Sequence, residues 1–366
     1  MAHPEEQPLP PLARVAHRAR VALRRTPAAL RHDLGDLRRA RTLRCVLAGI
    51  GAFLIATGLM LRFYAAPLLI LDVPGYYGKQ VLTDPHATYF NQAKLTMVRN
   101  APLSYVNTIR GDSSAATGST DTWDSYAYLW DPKTGERLEN TYQRAVFNRH
   151  TGQLLDCCGA SVNDDPNVRQ YGQGNLFPLG TQKTTYQVYD VNTERAWPAR
   201  FSGTAVVDGI LTYKFTQHIP ATQVQKVPNI PMSLLGIPGA SYTVTANRTY
   251  QATSTFWVDP RTGIPIDVEE KVTSQLHDPS DIGSLTVVSA DLKMTPSNQA
   301  SLAAYSGDRA SQITLLRLIG PLVALVLGVL LLLAAVFWPR LRPGWPRLRP
   351  GRAPGSGVSG SAPSPR

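Results

Sequence analysis

Acidic residues are missing from residues 339–366, and lysine is missing before residue 79 and after residue 293 of this 366-residue chain. Those gaps decide how the net charge of +11 is to be read. Residues 1–44 hold ten Arg against four acids, and residues 339–366 hold six Arg against none. Residues 62–317 are almost neutral, at −1. The basic charge belongs to two tails, which excludes a basic nucleic-acid-binding domain. Cysteine is scarce as well. The three are Cys45 and the adjacent Cys157 and Cys158, which excludes a disulfide-rich scaffold, a C-x-x-C redox motif and zinc-finger spacing.

Catalytic signatures are also absent. There is no G-x-S-x-G, H-E-x-x-H or P-loop. His86, His150, His218 and His277 form no i, i+4 pair, and the acids at Asp164, Asp165, Asp278 and Asp281 lack an EF-hand ligand ladder. Gly355, Gly357 and Gly360 match G-x-G-x-x-G, but no strand precedes them and no helix follows, so a dinucleotide site fails on context. The sequence therefore names no catalytic residue, no metal ligand and no cofactor, and the reading is a non-enzyme. Paired carboxylates far apart in the chain would escape such a search.

What is present is apolar length at the two charge boundaries. Cys45–Leu61 carries no charge over 17 residues, and Leu318–Trp338 none over 21. About 20 residues of helix cross the hydrocarbon core, and Arg62 can extend the first run by snorkelling. The Arg-rich flanks hold both ends on the cytoplasmic side. The expected organisation is a cytoplasmic Arg-rich tail (1–44), a signal-anchor helix (45–65), an extracytoplasmic β-rich domain (66–296), a helical stalk (297–316), a second transmembrane helix (317–338) and a disordered cytoplasmic tail (339–366). A cleaved signal peptide is the competing reading of the first span; its basic leader would be 44 residues, unusually long. The tails favour anionic lipid at the inner leaflet. Residues 11–44 read equally as an amphipathic surface helix or as a solvated segment that fixes topology.

The middle reads as β: short runs rich in Thr, Val and Tyr, punctuated by Gly, Pro, Asn and Asp. Trp-Asp-Pro-Lys-Thr-Gly at 130–135 recurs as Phe-Asn-Arg-His-Thr-Gly at 147–152 and Trp-Val-Asp-Pro-Arg-Thr-Gly at 257–263, each a tight-turn signal. Asp208-Gly209 is a fourth. The predicted fold is mainly β, a curved antiparallel sheet or half-barrels, with two repeats suggested by the paired Trp-Asp-Pro turns. Ser297 is the expected cap of the stalk helix, with an interruption at Gly307.

Two groups are candidate ligand contacts. Tyr126, Tyr128 and Trp130 alternate along one strand face, opposite Trp123 and Ser125, and suit stacking on sugar or packing on acyl chains; the plainer reading is core. Ile230, Met232, Leu234, Leu235 and Ile237 crowd a Pro-rich segment, 227–239, expected to be neither regular helix nor central strand. They form an apolar lip at a lipid cavity or a loop folded into the core. Cys157 and Cys158 read as a turn staple, as free thiols or as partners for another chain.

Several motifs together resemble a family: Gly174–Gly180 before Thr184–Tyr189, Phe201–Thr204 with Val207–Ile210 and Tyr213–Phe215, and Trp257–Gly263. Over roughly residues 45–338 the chain resembles the actinobacterial "porin PorA" proteins, formerly a domain of unknown function. The resemblance implies a cell-envelope membrane protein with two spans, linked to assembly of mannose-based lipoglycans. The turn at Trp257–Pro265 is similar to that of periplasmic lipoprotein carriers, whose half-barrels hold acyl chains. The implied function is binding or presenting a lipid or lipid-linked glycan. A scaffold for envelope-biosynthesis membrane enzymes, a glycan-acting enzyme and a porin are the alternatives.

Overall fold

The structure is a computed structural model that describes residues 27–66 and 75–341. The readings for residues 1–26 and 342–366, including the first part of the surface-helix segment and the whole Gly/Ser/Pro stretch, lie outside the described residues. The chain divides into two compact units, residues 1–61 with 320–366 and residues 62–319.

The first unit is a pair of helices, α1 (Pro27–Met60) and α3 (Gly320–Leu341). Helical apolar stretches long enough to cross a membrane run over Arg41–Ala65 and Pro296–Phe337. Small residues let the pair approach closely. Gly51, Gly58, Pro321, Gly328 and Ala335 are buried, at seven-residue intervals on each helix. A Cβ at Gly328 would lie 2.7 Å from the Gly51 carbonyl oxygen, and one at Gly58 3.0 Å from that of Pro321. Arg44 Nε donates to the Ala335 carbonyl at 3.1 Å. The contact thus lies within one chain, and Gly49 faces open space. Gly328→Leu is expected to cost about 2 kcal/mol by overpacking, whereas Gly49→Leu leaves stability unchanged; thermal melting of detergent-solubilised protein compares them.

The second unit is built on one antiparallel sheet of eleven strands. Strands β1 (Tyr77–Asn91), β2 (Thr96–Gly111), β3 (Thr120–Trp130), β4 (Arg137–Asn148) and β5 (Ser161–Val162) form one meander. The other comprises β6 (Tyr186–Asp190), β7 (Arg195–Val207), β8 (Ile210–Pro231), β9 (Thr243–Val258), β10 (Pro265–His277) and β11 (Ser284–Met294). β1 pairs with β11, so both meanders make one continuous curled half-barrel. Bulges in β1, β7 and β8 supply the curl.

Local chemistry sets the turns. Gly135, Gly152 and Gly263 each have φ between 68° and 76°, and each N–H donates to the carbonyl of the Asp or Asn four residues earlier at 2.8 Å. Asp208 and Gly209, both at positive φ, close the two-residue β7–β8 hairpin. The three Thr-Gly repeats seen in the sequence are therefore one turn built three times.

After β11 the chain enters α2 (Pro296–Thr314). Thr295, not Ser297, is the capping position, and its side chain makes no cap hydrogen bond. Leu302, Ala303, Ser306 and Ala310 are buried at helical spacing. Gly307 does not interrupt the helix. The irregularity is a π turn at Leu315–Ile319, matched by another at Leu61–Ala65, and Arg62 Nη1 donates to the Arg317 carbonyl at 3.1 Å. α2 packs on β10 and β1 at the end of the barrel where the chain enters β1 and leaves β11. Asn298 bridges it to β1, accepting from Val81 N and donating to Lys79 O.

Candidate functional site

Two adjoining cavities lie in the second unit, and Gln80, Asn175, Phe177 and Pro265 line both. The first, about 110 Å³, is a groove between α2 and the barrel mouth. Its walls are aromatic and aliphatic. Trp123 stacks on Tyr76 at 4.8 Å and meets Phe147 edge-on at 4.9 Å, and Leu302, Tyr305 and Ile313 of α2 close the opposite side. Trp123 is 3% exposed, and its Nε1 has no hydrogen-bond partner among the described residues.

Charge at the groove is of one sign. Arg149, His150 and Arg309 line it, and no acid does. The Asn148–Gly152 turn positions the first two: Asn148 Oδ1 accepts from His150 N and Thr151 N. Arg309 lies over the Tyr305 ring at 5.4 Å and donates to its hydroxyl. The mouth is held by the second Trp-Asp-Pro turn. Asp259 is fully buried, takes Ser306 Oγ from α2 at 2.8 Å, and pairs with Arg261 at 2.7 Å.

The second cavity is the barrel interior, about 200 Å³, more than ten times the roughly 10–15 Å³ that one water needs. Its lining mixes apolar and polar side chains, and its charged groups are acidic. Glu139 from β4, Asp190 from the end of β6 and Glu270 from β10 face it, and no Lys, Arg or His does. Burial pushes the Glu270 carboxyl up to about 7, with Asp190 and Glu139 adding like-charge repulsion against the hydrogen bond from Tyr250. That bond, Tyr250 Oη to Glu270 Oε1, is 2.7 Å. Burial likewise raises Asp190, although Thr193 donates to it from both N and Oγ1. Glu139 is relieved by Arg248 at 3.1 Å. Tyr189 lines the same space with a buried hydroxyl that has no partner among the described residues.

The profile of the family described as Porin PorA matches residues 43–337. The chain belongs to the Porin PorA family. No curated protein matches it. The family is one of membrane proteins, in keeping with the two apolar helices, and the matched range takes in both cavities.

In this family member the residues proposed from sequence are dispersed. Ser125, Ala127 and Leu129 of β3 point inward, and Tyr126, Tyr128 and Trp130 occupy the opposite face. Tyr126 and Trp130 line neither cavity, and Tyr128 alone borders the interior. Arg137 covers this stripe, lying 5.0 Å over the Tyr128 ring and donating to Tyr126 Oη. The stripe therefore lies mainly on the outer face, where Tyr126 is exposed, and only Tyr128 reaches the interior.

The Pro-rich segment is likewise elsewhere. Residues 227–231 belong to β8 as an edge stretch, in keeping with the expectation of no central strand there. Prolines are tolerated because β7 pairs only with β8 residues 210–217, leaving this stretch an edge. Met232 and Leu235 are buried in a small cluster with Ala246 and Leu276, and Ile230 and Ile237 pack against it. None of Ile230, Met232, Leu234, Leu235 and Ile237 lines the groove or the interior. Cys157 and Cys158 are joined as a vicinal disulfide in an exposed turn away from both cavities.

Proposed function

We propose that this Porin PorA family member is a two-pass cell-envelope membrane protein, with both termini cytoplasmic, whose half-barrel binds and presents a lipid or lipid-linked glycan without catalysing a reaction on it. The observation that carries this reading is the mouth groove. It is aromatic-walled, rimmed by Arg149, His150 and Arg309, and lies against α2, the helix that runs on into an apolar span. An acyl or prenyl chain fits its walls, and a cationic rim suits the anionic head groups of membrane lipids. The Arg-rich flanks of both apolar runs favour cytoplasmic ends, which puts the half-barrel outside. The family resemblance to envelope lipoglycan assembly points the same way.

Mass spectrometry of lipids that co-purify with the full chain tests the reading. Wild type is expected to carry lipid well above an unrelated two-helix membrane protein. Leu179→Trp and Ile313→Trp, which fill the groove from half-buried positions, are expected to reduce it several-fold while circular dichroism stays unchanged. Lipid at the control level in wild type, or equal lipid in both variants, would sink the proposal.

The family's description favours a second reading, a conducting pore. A membrane-crossing barrel needs a lipid-facing apolar band. The outward face of β10 and β11 instead carries the cross-strand ion pairs Glu269–Lys293 and Lys271–Asp291, which belong in water. Steady conductance of the purified protein in planar bilayers would nevertheless establish the pore.

A further inference from the structure

The groove and the interior carry opposite chemistry. Among the described residues the groove has two arginines, a histidine and no acid; the interior has three carboxyls and no Lys, Arg or His. Shared lining residues join them, so one ligand can span both. The interior differs from the groove in presenting Asn107, Ser125, Gln143, Gln217 and Ser254 beside the carboxyls, among apolar side chains such as Leu82, Val188 and Val272. We infer that the interior is a separate subsite for an uncharged, hydroxyl-rich group such as a sugar ring, and that it excludes phosphate. This rests on the chain-binding reading of the groove.

Two features argue for hydroxyls. Carboxyl and amide side chains offer paired donors and acceptors that match vicinal hydroxyl groups. Tyr105, Tyr250 and Phe256 add flat apolar faces along the lining, on which a ring's C–H face can pack. Phosphate finds no Lys, Arg or His to pair with among the described residues that line the interior. Burial disfavours the ionised form of Glu270 and Asp190 that an ammonium group needs as a partner.

Native mass spectrometry of the full chain released from nanodiscs, after incubation with equal concentrations of n-decyl hexoside, n-decyl phosphate, n-decylammonium or n-decanol, tests this. The hexoside adduct is expected to exceed the phosphate and ammonium adducts at least tenfold. Ser254→Lys sets an ammonium opposite Glu270, and Thr141→Lys sets one on the half-buried interior wall. Each should cancel the hexoside preference while decanol still binds, and Thr141→Lys keeps the test open if Ser254→Lys fails to fold. Phosphate or ammonium retained as well as hexoside, or a hexoside preference unmoved in a folded variant, overturns the subsite and leaves chain binding standing. Failure of every probe, decanol included, overturns the chain-binding reading and this inference with it.

Discussion

Asp259→Ala will release α2 from the barrel mouth at a cost of about 2–4 kcal/mol. Asp259 is fully buried and accepts from Ser306 Oγ, from Arg261 through Nε and Nη2, and from the Arg261 backbone N–H. Hydrogen bonds to a charged group contribute about 1.5–3 kcal/mol each, and a buried donor left unsatisfied carries its desolvation cost. Arg261 is half exposed and turns to water, so its share of the loss is small. Ser306 is 0% exposed and keeps only Thr262 Oγ1, at 2.7 Å, so α2 loses its charged acceptor. Ser306→Ala should cost only about 1 kcal/mol, because Asp259 keeps Arg261. The matching change in the other Trp-Asp-Pro turn, Asp131→Ala, strands the Tyr89 hydroxyl, which donates to Asp131 at 2.9 Å, but leaves α2 docked. Hydrogen exchange separates these outcomes: α2 amides exchange faster in Asp259→Ala and not in Asp131→Ala. Unchanged α2 protection in Asp259→Ala would remove the anchor role.

Glu270→Gln will stabilise the half-barrel at pH 8 and do little at pH 5. Glu270 ionises near 4.5 in the unfolded chain and at about 7 in the folded one. Between those values the folded state holds the extra proton, so stability falls as pH rises from about 4.5 to about 7 and is level above. A shift of that size corresponds to at most about 3 kcal/mol, and water in the chamber lowers it. Glutamine keeps an acceptor for Tyr250 and removes the ionisation. Denaturant titrations at pH 5 and pH 8 should show a gain of up to about 3 kcal/mol for the variant at pH 8 alone. Asp190 and Asp267 are raised by burial too, so a shallower slope of the same sign persists in the variant. Equal variant-to-wild-type differences at both pH values would exclude Glu270 as the titrating group.

The features legible in the sequence are those carried by contiguous residues. The apolar runs give the two helices, the Thr-Gly turns give three hairpins with identical bonding, and alternation separates Ser125 from Tyr126. Which of those two faces turns inward depends on partners far along the chain, and Ser104 and Val106 on the outer side of β2 are as buried as Leu103 and Ile109 on the inner. Aromatic content therefore marks the outer side of β3, from which only Tyr128 reaches the interior. In the Pro-rich 227–239 stretch proline excludes a central strand, and β8 meets that constraint by outrunning β7 to become an edge. The acidic interior had no local signature. Glu139, Asp190 and Glu270 come from three strands, and each alone looks like an exposed strand acid. The one available clue to Glu270 was its neighbour, since Glu269-Glu270 must send one carboxylate to each face of a strand.

The pairing of β1 with β11 has a consequence for how the protein is made. Asp84 and Asp291, joined across this seam, are 207 residues apart, so the centre of the sheet closes last as the chain emerges from its N-terminus. Until then β1 presents one row of unpaired backbone groups, an edge open to mispairing. Contacts of such long range slow folding. Anchoring the first span in the bilayer before β11 arrives would hold that edge beside the place where its partner must appear, and kinetic competition with aggregation would be decided there.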